Sequence, residues 1–134
     1  MKKTFFFVSA MLAASWAYAG GSSTCFAVHF FDFEIERVVP ISEDRISDVK
    51  PFYVERAVID KLIVLANKSA KSRKEEVYES GNVRLKVDAD DFQMFVDYNG
   101  HAKINGKDFR KMNKNAIRRI LMDAPQCKAP DQKN

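Results

Sequence analysis

Two histidines, two cysteines and one dense acidic turn are the residues of this chain whose types could do chemistry. His29 lies in an apolar run on the side of Phe31 and Phe33, where a hydrogen-bonded core imidazole is the expected state. Cys25 precedes it by four positions, and a thiolate beside an imidazole would be a nucleophile. In a strand, however, four residues span about 13 Å, and a cysteine in a disulfide attacks nothing. His101 follows Asn99-Gly100 and is expected at the surface, packed on Tyr98. Asp88, Asp90 and Asp91 offer the oxygens that calcium takes, but without the central glycine and distal glutamate of the twelve-residue loop. Aspartate is a common turn former, so an acidic hairpin tip is expected there and metal ligands are not. Glu34 and Glu36 could supply paired carboxylates for glycoside hydrolysis, although nothing sets two of the acids apart. There is no glycine-rich phosphate loop, no G-x-S-x-G and no H-E-x-x-H, and no cofactor is implied.

The remaining chemistry concerns the compartment. Lys2-Lys3, the apolar run Phe5 to Ala14 and Ala17-Tyr18-Ala19 have the charged, greasy and small-x-small pattern of a secretory signal peptide. Residues 1–19 are therefore read as a leader cut near Ala19, and residues 20–134 as one domain. The apolar run is too short for a transmembrane segment, and no later stretch is long enough to be one. In an exported chain, Cys25 and Cys127 are most simply one disulfide. Closing a loop of about 100 residues would stabilise the fold by on the order of 4 kcal/mol in the chain-entropy model.

The elements that would carry these residues follow from periodicity. Cys25 to Val38 reads as one long strand ended by Pro40. Ile41 to Lys50 reads as a polar loop. Phe52 to Asn67 carries Val54, Val58, Leu62 and Leu65 on one stripe, widened by Ile59, Ile63 and Ala66, and reads as a helix, with a strand as the rival. Lys68 to Lys74 is a basic linker, and Glu75 to Glu79 an edge strand.

Val83 to Ile104 alternates strongly enough to be a meander and the centre of the fold. A tight turn pairs Val87 with Phe92, Leu85 with Met94 and Val83 with Val96, all on one face. An Asn99-Gly100 two-residue turn then sets Phe95 beside Ile104 on the other face, where the apolar pair needs a cover. Asp108 caps a last helix to Met122, with Phe109, Met112, Ala116, Ile117, Ile120 and Leu121 inward. The expectation is an α+β fold: an antiparallel sheet of the N-terminal strand and C-terminal meander, about two packed helices and one disulfide.

Charge separates along the chain. Residues 20–102 hold 11 basic and 15 acidic side chains, net −4, and residues 103–134 hold 9 and 3, net +6. The basic end suits an acidic protein surface, an anionic lipid or a cell-wall polymer better than nucleic acid, which an exported protein seldom meets. The leading expectation is a small exported protein-binding module, periplasmic or secreted. In size and kind it is similar to bacterial immunity proteins and enzyme inhibitors, and its partner would be a toxin or enzyme. Tyr78, Arg84, Lys86, Phe95 and Asp97 are its candidate binding residues, expected exposed on one sheet face. A small periplasmic hydrolase using paired carboxylates or His29, and a structural cell-envelope component, are the alternatives.

Overall fold

A computed structural model describes residues 24–36, 39–72 and 77–128. The proposed leader lies outside these residues, as do residues 37 and 38 of the long first strand, 73 and 74 of the basic linker, and 75 and 76 of the expected edge strand. Among the described residues, seven strands form one antiparallel sheet in the order β2-β1-β4-β5-β6-β7-β3. The strands are β1 (Cys25–Phe30), β2 (Phe52–Glu55), β3 (Ala70–Lys71), β4 (Val83–Ala89), β5 (Phe92–Asp97), β6 (His101–Ile104) and β7 (Asp108–Lys111). Helices α1 (Arg56–Lys68) and α2 (Lys114–Met122) lie on one face, and Cys25 is bonded to Cys127 with their Cα atoms 6.0 Å apart. The α+β class and the disulfide are as expected from the sequence.

The expected helix over residues 52–67 divides in two. Phe52, Tyr53, Val54 and Glu55 pair with β1 as an edge strand, Val54 turned inward, and the helix begins only at Arg56. β2 and β3 occupy opposite edges of the sheet, so α1 is the crossover between them. Its 13 residues cover about 20 Å of the face. Val58, Ile59, Leu62 and Ala66 point down onto Val28, Leu85, Val87, Met94 and Val96. α2 adds Ile117 and Leu121 to the same core. α2 starts later than expected: Asp108 belongs to β7 and pairs with Ile104, and Asn113 is the true cap, accepting a 3.0 Å bond from the Ala116 N–H.

The meander keeps its faces by a different register. The β4–β5 turn takes Asp90 and Asp91, so Val87 faces Met94, Leu85 faces Val96 and Ala89 faces Phe92. A slip of two residues leaves Leu85, Val87, Phe92, Met94 and Val96 on the expected face. Arg84 is then an extra residue in the ladder, and this bulge turns Val83 to the opposite face, beside Phe95.

The β5–β6 turn spans three residues, Tyr98 to Gly100, with Gly100 at φ +90° and its N–H donating to Asp97 O at 3.1 Å. One residue more than the expected Asn-Gly turn rotates β6 by half a period, so Ala102 and Ile104 join the helix-side core and Lys103 faces Phe95. Only glycine fits at 100, because a Cβ there would lie 2.7 Å from the Met112 carbonyl oxygen.

On the opposite face lies a cover built from the stretch expected to be a polar loop. Ile41 and Ile46, the latter in a single 3-10 turn (Ile46–Asp48), pack on Val83 and Phe95, with Phe31, Val49 and Tyr78 around them. Backbone bonds stitch this cover to the sheet: Val83 N–H donates to Ile41 O at 2.7 Å, and Glu43 N–H to Ser80 O at 2.8 Å. The long first strand is correspondingly shorter. It ends at Phe30, and residues 32–35 form a turn closed by an Ile35 N–H bond to Asp32 O.

Candidate functional site

The five residues expected to form an exposed binding face are instead parts of the seal between sheet and cover. Phe95 is 6% exposed, Arg84 4% and Asp97 fully buried. The expectation of exposure fails because β4 is flanked on both sides, by β1 and β5, and the cover closes over the face. No edge remains on β4 for the 75–79 segment, and Val77–Glu79 is not a strand.

Each polar member of the five is satisfied within the chain. Asp97 Oδ1 accepts from the N–H groups of Asn99 and His101, both at 2.9 Å, and Oδ2 accepts from Glu79 N–H at 3.0 Å. A carboxylate with no water contact is tolerable only with such donors, and here they tie the hairpin to the 77–82 segment. Arg84 lies 4.9 Å from the ring centres of Phe31 and Tyr98, and its Nη1 donates to the carbonyls of Asp32 and Ile35 at 3.0 and 2.6 Å. Lys86 Nζ donates to Ser47 Oγ at 2.9 Å and sits over the Phe95 ring.

Tyr78 donates from its hydroxyl to Glu43 Oε2 at 3.0 Å, and Lys103 Nζ meets both oxygens of Glu43 at 2.6 and 2.7 Å. Burial, reinforced by the charge of Glu43 and the bond to it, pushes the Tyr78 hydroxyl well above the ordinary tyrosine range.

Most of the remaining groups are equally occupied; the exception is His101 Nδ1, which is buried with no hydrogen-bond partner among the described residues. His29 Nδ1 lies 2.7 Å from Val49 O and so helps dock the cover, as a satisfied half-buried imidazole. His101 is mostly buried, not at the surface, with Nδ1 3.5 Å from Asp97 Oδ2. At the acidic turn, Asp91 pairs with Arg56 at 3.0 Å, and that hydrogen bond holds its carboxyl below the usual range. A hollow of about 390 Å³ beside this turn is lined by Asp91 and Asp108 among others, and Asp108 is in turn held by Arg110 at 3.0 Å. With its carboxyl held ionised by Arg56, Asp91 is not set up as a general acid. Glu34 engages Arg118 at the surface, and Asp32 holds the same guanidinium with both oxygens. Among the described residues no three His, Cys, Asp or Glu side chains converge as metal ligands do.

Open surface among the described residues includes a hollow of about 580 Å³ on the cover side, lined by Phe31, Val39, Pro40 and Ile41 among others, and a second on the helix layer. Lys61, Val64, Leu65 and Lys68 occur at spacings of three and four along α1 and form one outward ridge. With Ile120 of α2 and Asp60 they line a shallow hollow of about 410 Å³. Val64 is 50% exposed on an otherwise well-packed helix. Asp60 is occupied by Arg56 at 3.0 Å, whereas neither Lys61 nor Lys68 has an ion-pair partner among the described residues. The arrangement is an apolar floor between two free ammonium groups.

The sequence carries a signal for it. Leu62, Ile63, Val64 and Leu65 are four consecutive apolar residues, which on a helix span about 300° and cannot all face a single sheet. Among the described residues no helix is long and apolar enough to cross a membrane. Compared with protein-family models, curated proteins and solved structures, the chain matches none of them.

Proposed function

We propose that the protein is a small exported protein-binding module that acts by surface complementarity, in the manner of an immunity protein or enzyme inhibitor. The observation that carries this reading is the half-exposed Val64, flanked by Leu65 and Ile120 between two uncommitted lysines, on a domain that encloses its other large apolar clusters on both sides of the sheet. A well-formed apolar patch with a charged rim is what a recognition surface presents. The disulfide supports export, since such bonds persist in oxidising compartments. The leader pattern of residues 1–19 supports it independently, and cleavage near Ala19 would leave Gly20 at the mature N-terminus.

The test uses the oxidised mature chain as bait in periplasmic and secreted fractions. A captured protein is then purified and mixed with the bait. The expected result is a complex of defined stoichiometry by sedimentation, with Kd below about 10 μM. Absence of any such complex, or turnover of a substrate by the chain alone, would overturn the reading. N-terminal sequencing of the exported form checks the leader.

A further inference from the structure

The hollow on the helix layer has a definite shape and charge, and these narrow the partner's chemistry. This inference rests on the protein-binding reading above. Lys61 and Lys68 are seven residues apart on one ridge, which sets them about 10.5 Å apart along the α1 axis. Val64 and Leu65 lie between them, and Ile120 closes the floor from α2. With Asp60 held by Arg56, the rim facing a partner is positive at both ends and apolar in the middle.

We propose that this hollow receives an acidic amphipathic helix of another protein. Apolar side chains of that helix rest on Val64, Leu65 and Ile120, and carboxylates seven residues apart meet Lys61 and Lys68. A helix is the matching shape because its own positions i and i+7 repeat the same spacing of about 10.5 Å, so both ends of the rim are engaged together. A bilayer is the poorer fit. Interfacial binding needs a broad apolar face with bulky side chains, and here the floor is three aliphatic residues. The lysines act chiefly on encounter and register, and the apolar floor on residence time.

The probe is a lactam-bridged helical peptide presenting two leucines between glutamates seven residues apart, titrated into the isotopically labelled, oxidised chain. Amide shifts should cluster at Lys61, Val64, Leu65, Lys68 and Ile120. Replacing both peptide glutamates by glutamine should weaken binding at least about fivefold, as should ~0.5 M salt. Val64→Glu should weaken it at least about tenfold. The double variant K61E/K68E, whose side chains are exposed and whose fold is not at stake, should lose the acidic peptide and gain a lysine-bearing one. Shifts elsewhere, equal binding of the neutral peptide, or no shifts at millimolar peptide would overturn the proposal. So would Val64-dependent sedimentation with phosphatidylglycerol vesicles in place of peptide binding, or concentration-dependent shifts of the ridge with no peptide present. If a purified natural partner binds Val64→Glu and K61E/K68E as tightly as wild type, this surface is excluded while the protein-binding reading stands. If no partner forms a complex with the wild type, that reading falls with it.

Discussion

The two faces of the sheet are closed by different physics. On the helix side, apolar residues from α1, α2 and five strands interlock, and no buried charge is needed. On the cover side, the apolar cluster is small: Ile41, Ile46, Val83 and Phe95 are its buried members among the described residues. The rest of that seal is polar, from the Asp97 carboxylate under three N–H groups to Arg84 between two rings and the Tyr78–Glu43–Lys103 cluster. The contrast teaches that a short irregular segment can close a sheet face if hydrogen bonds supply the fit that helical periodicity supplies elsewhere.

The sharpest way to break the comparison is a matched pair of truncations. Leu62→Ala on the helix side and Phe95→Ala on the cover side should each cost about 3 kcal/mol in denaturant unfolding, because both side chains are enclosed. A loss below about 1 kcal/mol for Phe95→Ala would show the cover to be a loose lid and not a second core.

Next comes Asp97→Ala, expected to cost about 2 kcal/mol by stranding three N–H donors. Asp97→Asn should cost less, since its amide oxygen still accepts.

Tyr78→Phe should cost about 1 kcal/mol at neutral pH, and its larger effect is on the alkaline limb. The folded hydroxyl holds its proton above the ordinary tyrosine value of 10.0. The unfolded chain releases that proton first, so stability from this group is full below pH 10 and declines above it, by at most about 1.4 kcal/mol per pH unit. Melting temperatures from pH 7 to 11 should show a shallower fall for Tyr78→Phe than for wild type.

The smallest effect belongs to the surface clasp between Arg118 and Asp32. Partial burial raises the Asp32 carboxyl, but the Arg118 hydrogen bonds, the Glu34 N–H bond and the charges of Arg118 and Arg84 together outweigh it and leave the group below its ordinary 3.8. Its contribution is present above that value and lost as pH falls through the lower folded one. Arg118→Ala should cost under about 1 kcal/mol at pH 7 and nothing once Asp32 is protonated, as melts from pH 7 to 2 would show.

The same division explains what was legible in the sequence. Strand alternation was readable wherever the ladder is regular: Leu85, Val87, Met94 and Val96 share the helix-side core as their spacing implies, and helical spacing places Leu62 and Ile117 there too. The cover side was not readable, because Ile41 and Ile46 stand among polar residues with no period to mark them. Val83 and Ile104 changed faces through a bulge at Arg84 and one additional turn residue before Gly100, local insertions that alternation alone does not report. The expected exposure of the binding candidates failed for the same reason. Tyr, Arg and Phe on a nominally open face resemble interface anchors until the segment that covers them is known. The helix-layer ridge had a trace in the run Leu62 to Leu65, too apolar for one face.

The bond between Cys25 and Cys127 has a mechanical consequence. It joins the first residue of β1 to the segment after α2, 102 positions on. Tension applied outside the two cysteines passes from one flank to the other through the sulfurs, and the ladders between them carry none of it. Stretched in an oxidising medium, the fold between the two cysteines would not lengthen, and adding a reductant would switch the load onto the strands.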